Sequence, residues 1–394
     1  RLVSRHNPTL RKLDPLSPLS LGNGEFAFTG DITGLQTFPQ EYEQTMPLCT
    51  MAQWGWHTSP VPAGLEPKSL RLTPYDTHGR SVGYQTSADG QSELYNWLRE
   101  NPHRLHLGRI GLRLLVDDKE EATAADLTDI EQRLDLWQGM LTSRFKFKGE
   151  ATIVRTAVHP TLDLLAVEIE SGLIRDGRLA VRFAFPYGSP QMQAADWEQP
   201  GRHESGVLGL TARGVKLRRV LDANEYYAAI AWTSDASFVS EKPHSFLLSS
   251  KSARSSSRES LEFVVAFSPH ALKHELPGVA TTFSTSAAHW QRFWTQGAAV
   301  ELADSSDSRA PELERRVVLS QYLTAIQCSG SMPPQECGLT VNSWYGKFHL
   351  EMHWWHAAHF ALWNRLPLLE KSLAWYNKIL PVARELAKSQ GYKG

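Results

Sequence analysis

Runs of β-branched and aromatic residues predict strands through roughly the first 275 residues. Four of these runs are Leu164–Ile169, Leu179–Phe185, Tyr226–Trp232 and Leu261–Phe267. Turn-forming residues such as Asp176-Gly177 and Pro186-Tyr187-Gly188 separate them, and the serine-rich stretch Ser250–Ser257 predicts a solvated loop. Because no amphipathic helices stand between so many strands, the pattern favours an antiparallel sandwich over a parallel sheet.

The pattern then becomes helical. Ser286–Thr295 predicts a short connecting helix with its aromatic side docked, and Pro311 fits the first turn of a helix that runs to about Gln327. Two more helices are predicted, over about Leu350–Trp363 and about Leu368–Ala387. We therefore expect a multidomain β plus α protein.

The predicted divisions are a β-sandwich domain at 1–275, a helical linker at 276–309, and the first helices of a second domain at 310–394. Three helices in so short a stretch cannot close a helical toroid. We expect the sequence to be the front part of a longer polypeptide, or one piece of a cleaved one. The chain begins at Arg1, so either a targeting peptide has been removed or the sequence starts after a disordered segment. The first explanation predicts a periplasmic or secreted protein, with a cytoplasmic location as the alternative.

Composition narrows the function classes. Lys plus Arg number 41 and Asp plus Glu number 42, so the formal net charge of −1 gives no attraction to nucleic acid or to a membrane surface. No apolar run approaches the roughly 20 residues that span a bilayer. Three cysteines are too few for a disulfide scaffold. Cys328 and Cys337 either bridge the loop between them or are free buried thiols.

The stretch from Trp344 to Arg365, which we name the aromatic segment, is the strongest candidate for a site. It places Glu351 among four histidines, four tryptophans and one tyrosine. Sugars stack their C–H faces on indoles and hydrogen-bond charged groups through their hydroxyls. We therefore expect Glu351 to accept hydrogen bonds from a sugar, or to be catalytic; the alternative is a surface ion pair with Lys347, four residues earlier.

The histidines of the aromatic segment have a spacing that also suits zinc, with His349, His353 and His356 on one helical face. The metalloprotease pattern needs Glu directly after the first His, where Leu350 stands. We favour sugar-oxygen donors over a metal site, and we expect His359 to be structural.

The aromatic residues cannot all face one cleft, because neighbours on a helix point about 100° apart. Trp344 and Tyr345 precede the helix and are the better stacking platforms, whereas one of Trp354 and Trp355 is expected in the core. Lys347 either serves a ligand or faces solvent.

Two motifs lie in the strand-rich part. The cluster Gln53–His57 either reaches over the site or packs on its own sandwich, and the second reading is slightly favoured. Gly22-Asn23-Gly24 is not a phosphate cradle, because no helix follows it; it predicts a strand turn.

Four stretches of the chain resemble glycoside hydrolase family 65 and its relatives among the six-hairpin glycosidases. Pro18–Gly30 resembles the opening LGNG strand-turn, Arg133–Arg144 a sandwich strand, His289–Trp294 the linker before the barrel, and Gly346–Trp354 the Gly followed by Phe-Trp-Asp-x-Glu. The resemblance implies an N-terminal antiparallel β-supersandwich, a helical linker and the start of an (α/α)6 barrel that is incomplete in this chain.

Counting from Gly346 places Glu351 on the motif's Asp, which in the family holds sugar hydroxyls in subsite −1, and His353 on its Glu. Both positions depart from the family pattern, which puts glucosyl specificity in doubt. The family's general acid is a Glu well downstream, so the resemblance implies a catalytic acid beyond residue 394.

The expected function is that of an inverting glycoside hydrolase acting on oligosaccharides or glycosides. The alternatives are a disaccharide phosphorylase on the same fold and a non-catalytic carbohydrate-binding protein. No cofactor or metal is implied, and the expected partners are a carbohydrate and the C-terminal remainder of the polypeptide. The predicted substrate-binding residues are Trp344, Tyr345, Lys347, His349, Glu351, His353 and Trp354.

Overall fold

A computed structural model describes residues 2–117, 119–233, 235–250 and 260–392. Apart from Ser250, the predicted loop Ser250–Ser257 lies outside the described residues.

The strands occupy most of the chain up to residue 268. They are β1 Thr9–Leu10, β2 Leu19–Gly22, β3 Phe26–Gly30, β4 Thr50–Ala52, β5 Trp56–His57, β6 Thr73–Asp76, β7 Ser81–Tyr84, β8 His103–Arg104, β9 Arg109–Leu114, β10 Leu127–Asp135, β11 Met140–Phe147, β12 Glu150–Val158, β13 Leu164–Ser171, β14 Leu179–Ala184, β15 His203–Thr211, β16 Gly214–Leu221, β17 Asn224–Trp232, β18 Ala236–Lys242, β19 Ser245–Ser250 and β20 Ser260–Ser268.

The helices lie mainly after the strands. They are α1 Ser92–Glu100, α2 Gly172–Arg175, α3 Val279–Gln296, α4 Ala310–Cys328, α5 Leu350–Ala357, α6 His359–Leu362 and α7 Leu366–Ser389. A short 3-10 turn, Ser343–Gly346, precedes α5.

Two large antiparallel sheets organise the strand-rich part. One has nine strands in the order β1-β10-β11-β12-β13-β20-β17-β16-β15, and the other has four in the order β18-β19-β14-β9. Their inner faces meet in one core, where the ring centroids of Phe183 and Phe263 are 5.4 Å apart and those of Trp232 and Phe238 are 6.0 Å apart. The predicted antiparallel arrangement is confirmed, and the four predicted strands lie in β13, β14, β17 and β20.

The central strands of the nine-stranded sheet are apolar on both faces. In β13, Leu165 and Val167 face the shared core, whereas Leu164 and Ala166 belong to a second cluster with Val279 of α3. Because α3 covers the outer face, both sets of side chains are removed from water, and the sequence lacks the alternation of a half-exposed strand.

Helix α3 docks on the sandwich through its aromatic side, as predicted. Trp290 and Trp294 are buried, and the Trp294 indole donates to the carbonyl of Leu136 at 2.7 Å. A Cβ at Gly139 would lie 2.0 Å from Trp290, so only glycine admits this ring.

The Gly22-Asn23-Gly24 motif is a strand turn, which confirms that prediction, and it also seats α4. Asn23 Oδ1 accepts the backbone N–H of Phe26 at 2.9 Å, and the N–H of Gly24 donates to the carbonyl of Ile326 at 2.9 Å. Gly24 has φ +90° and contacts the end of α4. The turn therefore joins the first hairpin to the helical part.

The helices agree with the sequence pattern except in one detail. The stretch predicted as a single helix over Leu350–Trp363 is divided at Ala358 into α5 and α6. The backbone of Ala358 keeps a right-handed helical conformation (φ −60°, ψ −32°), so the two helices are divided by an interruption in the hydrogen bonding and not by a change of backbone conformation. Asn364, at φ 56°, ends α6 in the left-handed conformation typical of a helix C-terminus.

Among the described residues, no helix is both long enough and apolar enough to cross a membrane. The three cysteines are free thiols; Cys49 and Cys328 are buried, and Cys337 is half-buried.

Candidate functional site

The aromatic segment is reached through a loop, residues 329–343, that lies across the sandwich. The N–H of Asn342 donates to the carbonyl of Met192 at 2.7 Å, and its side-chain amide donates to the carbonyl of Gln191 at 3.0 Å. A Cβ at Gly330 would lie 2.4 Å from the carbonyl oxygen of Gly24. The sandwich therefore fixes the loop before the aromatic segment begins.

Arg104 of β8 is the centre of this attachment. It is 1% exposed, its Nε donates to the side chain of Gln335 at 3.1 Å, and its other nitrogens donate to the carbonyl of Ala52 at 3.0 Å and to Gln53 Oε1 at 2.9 Å. Trp56 stacks on the guanidinium at 3.9 Å. Burial disfavours the charged guanidinium and lowers the pKa of Arg104 to about 9. The oxygens that accept its hydrogen bonds come from the sandwich (Ala52 and Gln53) and from the loop (Gln335).

The turn that begins the aromatic segment has a strained backbone, with three consecutive residues at positive φ. Trp344, Tyr345 and Gly346 have φ angles of 49°, 62° and 70°. The left-handed region disfavours residues with a Cβ, and here two bulky aromatic residues occupy it in succession. A Cβ at Gly346 would lie 1.8 Å from Arg104 Cγ, so the turn fits only with glycine at that position. The result is that Trp344 stands 51% exposed beside the start of α5.

Lys347 does not face solvent, and its ammonium group is already used. It donates to the carbonyls of Arg99 at 2.7 Å and Asn101 at 2.9 Å, at the end of α1. A cation at this position satisfies carbonyls that a helix terminus leaves free. The sequence predicted that Lys347 either serves a ligand or faces solvent, and neither prediction included this role. Nothing in the sequence indicates that α1 ends beside Lys347.

Glu351 lies in the first turn of α5 and is exposed. A carboxylate is favourable at this position because it faces the positive end of the helix dipole. Within the described residues its side chain has no hydrogen-bond or ion-pair partner. The alternative pair with Lys347 is not formed, since that ammonium binds α1.

Trp354 and Trp355 are 70% and 69% exposed. The expectation that one of them lies in the core is wrong, because the described helices leave this face of α5 uncovered. The ring of Trp344 meets that of His349 edge-on at 5.6 Å, so His349 stands between Trp344 and α5. Glu351 and Trp354 are three residues apart and share a helical face.

The remaining histidines are used in internal contacts. His353 is buried, with Nδ1 at 2.9 Å from the Tyr376 hydroxyl and Nε2 at 2.7 Å from the Ser372 hydroxyl. His356 Nε2 lies 2.7 Å from the carbonyl of Glu336, and His359 contacts the ring of Phe360. Both nitrogens of His353 are thus used between α5 and α7, and the predicted direct contact with a substrate is not available to them.

In the part of the chain that the structure describes, no group of three or more His, Cys, Asp or Glu side chains is arranged to hold a metal ion. An open groove of about 390 Å³ touches the aromatic segment between α4 and the α5–α6 pair, and Trp355, His359 and Trp363 are among its lining residues. Glu351 does not line it.

The Gln53–His57 cluster packs on its own sandwich, as the favoured reading predicted. The Trp54 indole donates to Asp163 at 2.6 Å, and Trp56 lies under Arg104. The Trp54 hydrogen bond opposes, but does not cancel, the effect of burial, which raises the pKa of Asp163 to about 6.

Sequence reasoning missed Arg104, Arg99 and Gln335. Arg99 lies 5.9 Å over the ring of Tyr345 and joins that platform to α1. Gln335 connects Arg104 to the loop, with its amide donating to the carbonyl of Val341 at 2.9 Å. Arg104 and Gln335 are 231 positions apart in the chain, and no local spacing indicates that they meet.

Comparison of this chain with solved structures finds chains of similar fold. It is similar to a protein described as a kojibiose phosphorylase from the human microbiome, at a TM-score of 0.54 and 10% identity over 86% of this chain. It is also similar to a bacterial glucoamylase complexed with acarbose (TM-score 0.44, 10% identity, 69% of this chain and 44% of that chain). A third likeness is to a family GH92 α-mannosidase from Bacteroides thetaiotaomicron in complex with mannoimidazole (TM-score 0.35, 7% identity, 85% of this chain and 41% of that chain).

The last two likenesses have TM-scores below 0.5 and are too weak to establish a shared fold. No protein-family model matches the sequence, and no curated protein matches it. The chain spans 44% of the length of the kojibiose phosphorylase. The expected resemblance to this group of enzymes is confirmed at the level of the fold.

Proposed function

We propose that this chain is the front part of an enzyme that cleaves glycosidic bonds by inversion. In this proposal residues 1–275 form a β-supersandwich, residues 276–309 a helical linker, and residues 310–394 the first helices of an (α/α)6 barrel. The reaction is hydrolysis: water attacks the anomeric carbon, the glycosidic C–O bond breaks, and a general acid protonates the departing oxygen.

The observation that carries the proposal is the exposed face at the start of α5. Large apolar surfaces are seldom exposed to solvent in a soluble protein unless they meet a partner or ligand. The ring of Trp344 meets that of His349, and Glu351 and Trp354 follow within the first turn and a half of the helix. The strained turn at Gly346 is fixed by a buried arginine. Strain of this kind persists where the surrounding structure enforces it, often at functional sites.

We assign ligand contact to Trp344, Tyr345, His349, Glu351 and Trp354. Glu351 accepts hydrogen bonds from sugar hydroxyls, and such bonds strengthen as the ring flattens toward the oxocarbenium-like transition state. Lys347 and His353 act indirectly, by fixing the turn and the helix that carry those residues. The general acid lies outside these residues, in the C-terminal remainder.

A second set of exposed side chains suits contact with that remainder. Trp355, Leu362 and Val382 are exposed by 69%, 84% and 70%. Apolar side chains on successive helices are those that further helices of a barrel would cover.

A phosphorylase is the second candidate, favoured by the likeness to the kojibiose phosphorylase, for which the TM-score is 0.54. In that reaction inorganic phosphate replaces water as the nucleophile, and a sugar phosphate leaves in place of the free sugar.

The deciding experiment incubates the full-length protein with gluco-, manno- and galacto-configured disaccharides, each with and without inorganic phosphate. Free monosaccharides of inverted anomeric configuration, formed without phosphate, support the hydrolase. Strict dependence on phosphate with formation of a sugar phosphate supports the phosphorylase. Sugar binding without any turnover contradicts both and leaves a non-catalytic carbohydrate-binding protein.

A further inference from the structure

The sandwich contains a second concave site, which we name the sandwich pocket. It has a volume of about 380 Å³ and lies between the loop that carries Phe38 and Gln40, the loop that carries Trp197, and the turn between β18 and β19. Its volume is at the lower end of the range of small-molecule sites. Every residue that lines it lies between positions 36 and 245, so it is separate from the aromatic segment.

His203 presents a fixed N–H group in this pocket. The side chain is 8% exposed, and its Nδ1 lies 2.5 Å from a guanidinium nitrogen of Arg219. Arginine only donates, so Nδ1 accepts and the imidazole proton sits on Nε2. Burial, followed by the charge of Arg219, lowers the pKa of His203 to about 3, which keeps the ring neutral. Within the described residues, Nε2 of His203 has no hydrogen-bond partner.

Arg109 and Trp197 add further unused donors. The Arg109 guanidinium lies 4.1 Å from the Trp197 ring centroid, and its ion-pair contact with Glu43 is 3.8 Å long. Among the described residues, Arg109 Nε and Trp197 Nε1 are buried without an acceptor. Buried donors without partners are rare and call for an explanation.

The charges around the pocket do not favour an anion. Arg182, which also lines it, is already bound by Glu121 at 2.9 Å and by Glu241 at 2.7 Å. The remaining lining cations, Arg109 and Lys242, are opposed by Glu43 and by the lining residue Glu198. A ligand that meets both donors and carboxylates, next to an indole, is neutral and bears many hydroxyls.

We propose that the sandwich pocket binds a neutral sugar unit, with His203 Nε2 and the Arg109 guanidinium donating to its oxygens beside the Trp197 ring. This site is non-catalytic. The inference does not need the proposed glycosidase activity, since it rests on donors and geometry in a different part of the chain.

The test is saturation-transfer NMR of the full-length protein with glucose, mannose, galactose and maltose, each at concentrations up to about 10 mM, which covers millimolar dissociation constants. Two variants report on the pocket. Arg109→Met removes the guanidinium, and Gln40→Trp, an exposed position on the rim, fills the mouth without touching the core. The matched control is Gln85→Trp, an exposed glutamine outside the pocket.

For at least one sugar, we expect at least a tenfold loss of affinity in Arg109→Met and loss of its pocket signal in Gln40→Trp, while Gln85→Trp behaves as wild type. The part of the signal that is lost in Gln40→Trp should persist in Glu351→Gln, so a failure here is distinct from a failure of the proposed activity. The inference is overturned if wild type gives no saturation transfer from any of the four sugars, or if Gln40→Trp binds them as wild type does.

Discussion

The attachment of the aromatic segment to the sandwich can be tested at Gly346. Alanine at φ 70° bears the cost of the left-handed conformation, about 1–2 kcal/mol. Its Cβ would also lie 1.8 Å from Cγ and 2.7 Å from Cβ of Arg104. These atoms are close to the backbone of a fully buried side chain and cannot move away without breaking its hydrogen bonds. Overpacking of this kind costs about 1–3 kcal/mol. Gly346→Ala should therefore lower the free energy of unfolding by about 2–5 kcal/mol.

The control is Gly177→Ala. Gly177 has φ 69°, nearly that of Gly346, and a Cβ there would meet nothing within 4 Å. The difference between the two variants isolates the collision with Arg104 from the backbone cost. Urea unfolding followed by tryptophan fluorescence, with the midpoint and slope compared for both, supplies the measurement.

If Gly346→Ala is no less stable than Gly177→Ala, Arg104 does not hold the turn, and the reasoning about the strained turn is refuted. An intermediate result, in which only the part of the transition that involves the helices shifts, would still support it, because that part depends on the attachment.

Two further perturbations test neighbouring parts of the account. Lys347→Met removes charge-assisted hydrogen bonds from the end of α1 and should cost about 1–3 kcal/mol, measured by thermal unfolding against the exposed control Lys68→Met. A hydrogen bond from Arg5 lowers the pKa of Glu314 to about 2 from 4.5, so its stabilising contribution is present above pH 4.5 and is lost as the pH falls toward 2. Glu314→Gln should lower the melting temperature at neutral pH and flatten its pH dependence in that window; an unchanged pH profile would contradict this assignment.

Much of the fold could be predicted from local pattern. The sequence runs that form β13, β14, β17 and β20 are apolar because the core and α3 bury them. A buried strand is visible in the sequence as a run of apolar residues. The helix that begins near Pro311 was marked by its proline. The pairing order of the strands was not predictable, since each strand is compatible with several neighbours.

The site was less predictable because its side chains depend on distant partners. Lys347 binds carbonyls near Asn101, and His353 binds Ser372 on α7, and neither contact has a signal in the spacing of residues. Trp355 was uncertain for a different reason: sequence identifies a large apolar residue but not whether a partner covers it. The composition of the aromatic segment therefore identified it as a candidate site, but it did not predict the contacts of each residue.

The central claim is that the carboxylate of Glu351 binds sugar. The most direct measurement compares sugar affinity, turnover and melting temperature of wild type, Glu351→Gln and Glu351→Ala in the full-length protein, with Glu66→Gln, another exposed glutamate, as the control. Because Glu351 is exposed and its side chain has no hydrogen-bond or ion-pair partner within the described residues, its replacement should change stability by no more than about 0.5 kcal/mol. We predict at least a tenfold loss of affinity or turnover at unchanged melting temperature. Wild-type affinity and turnover in Glu351→Ala would contradict the account.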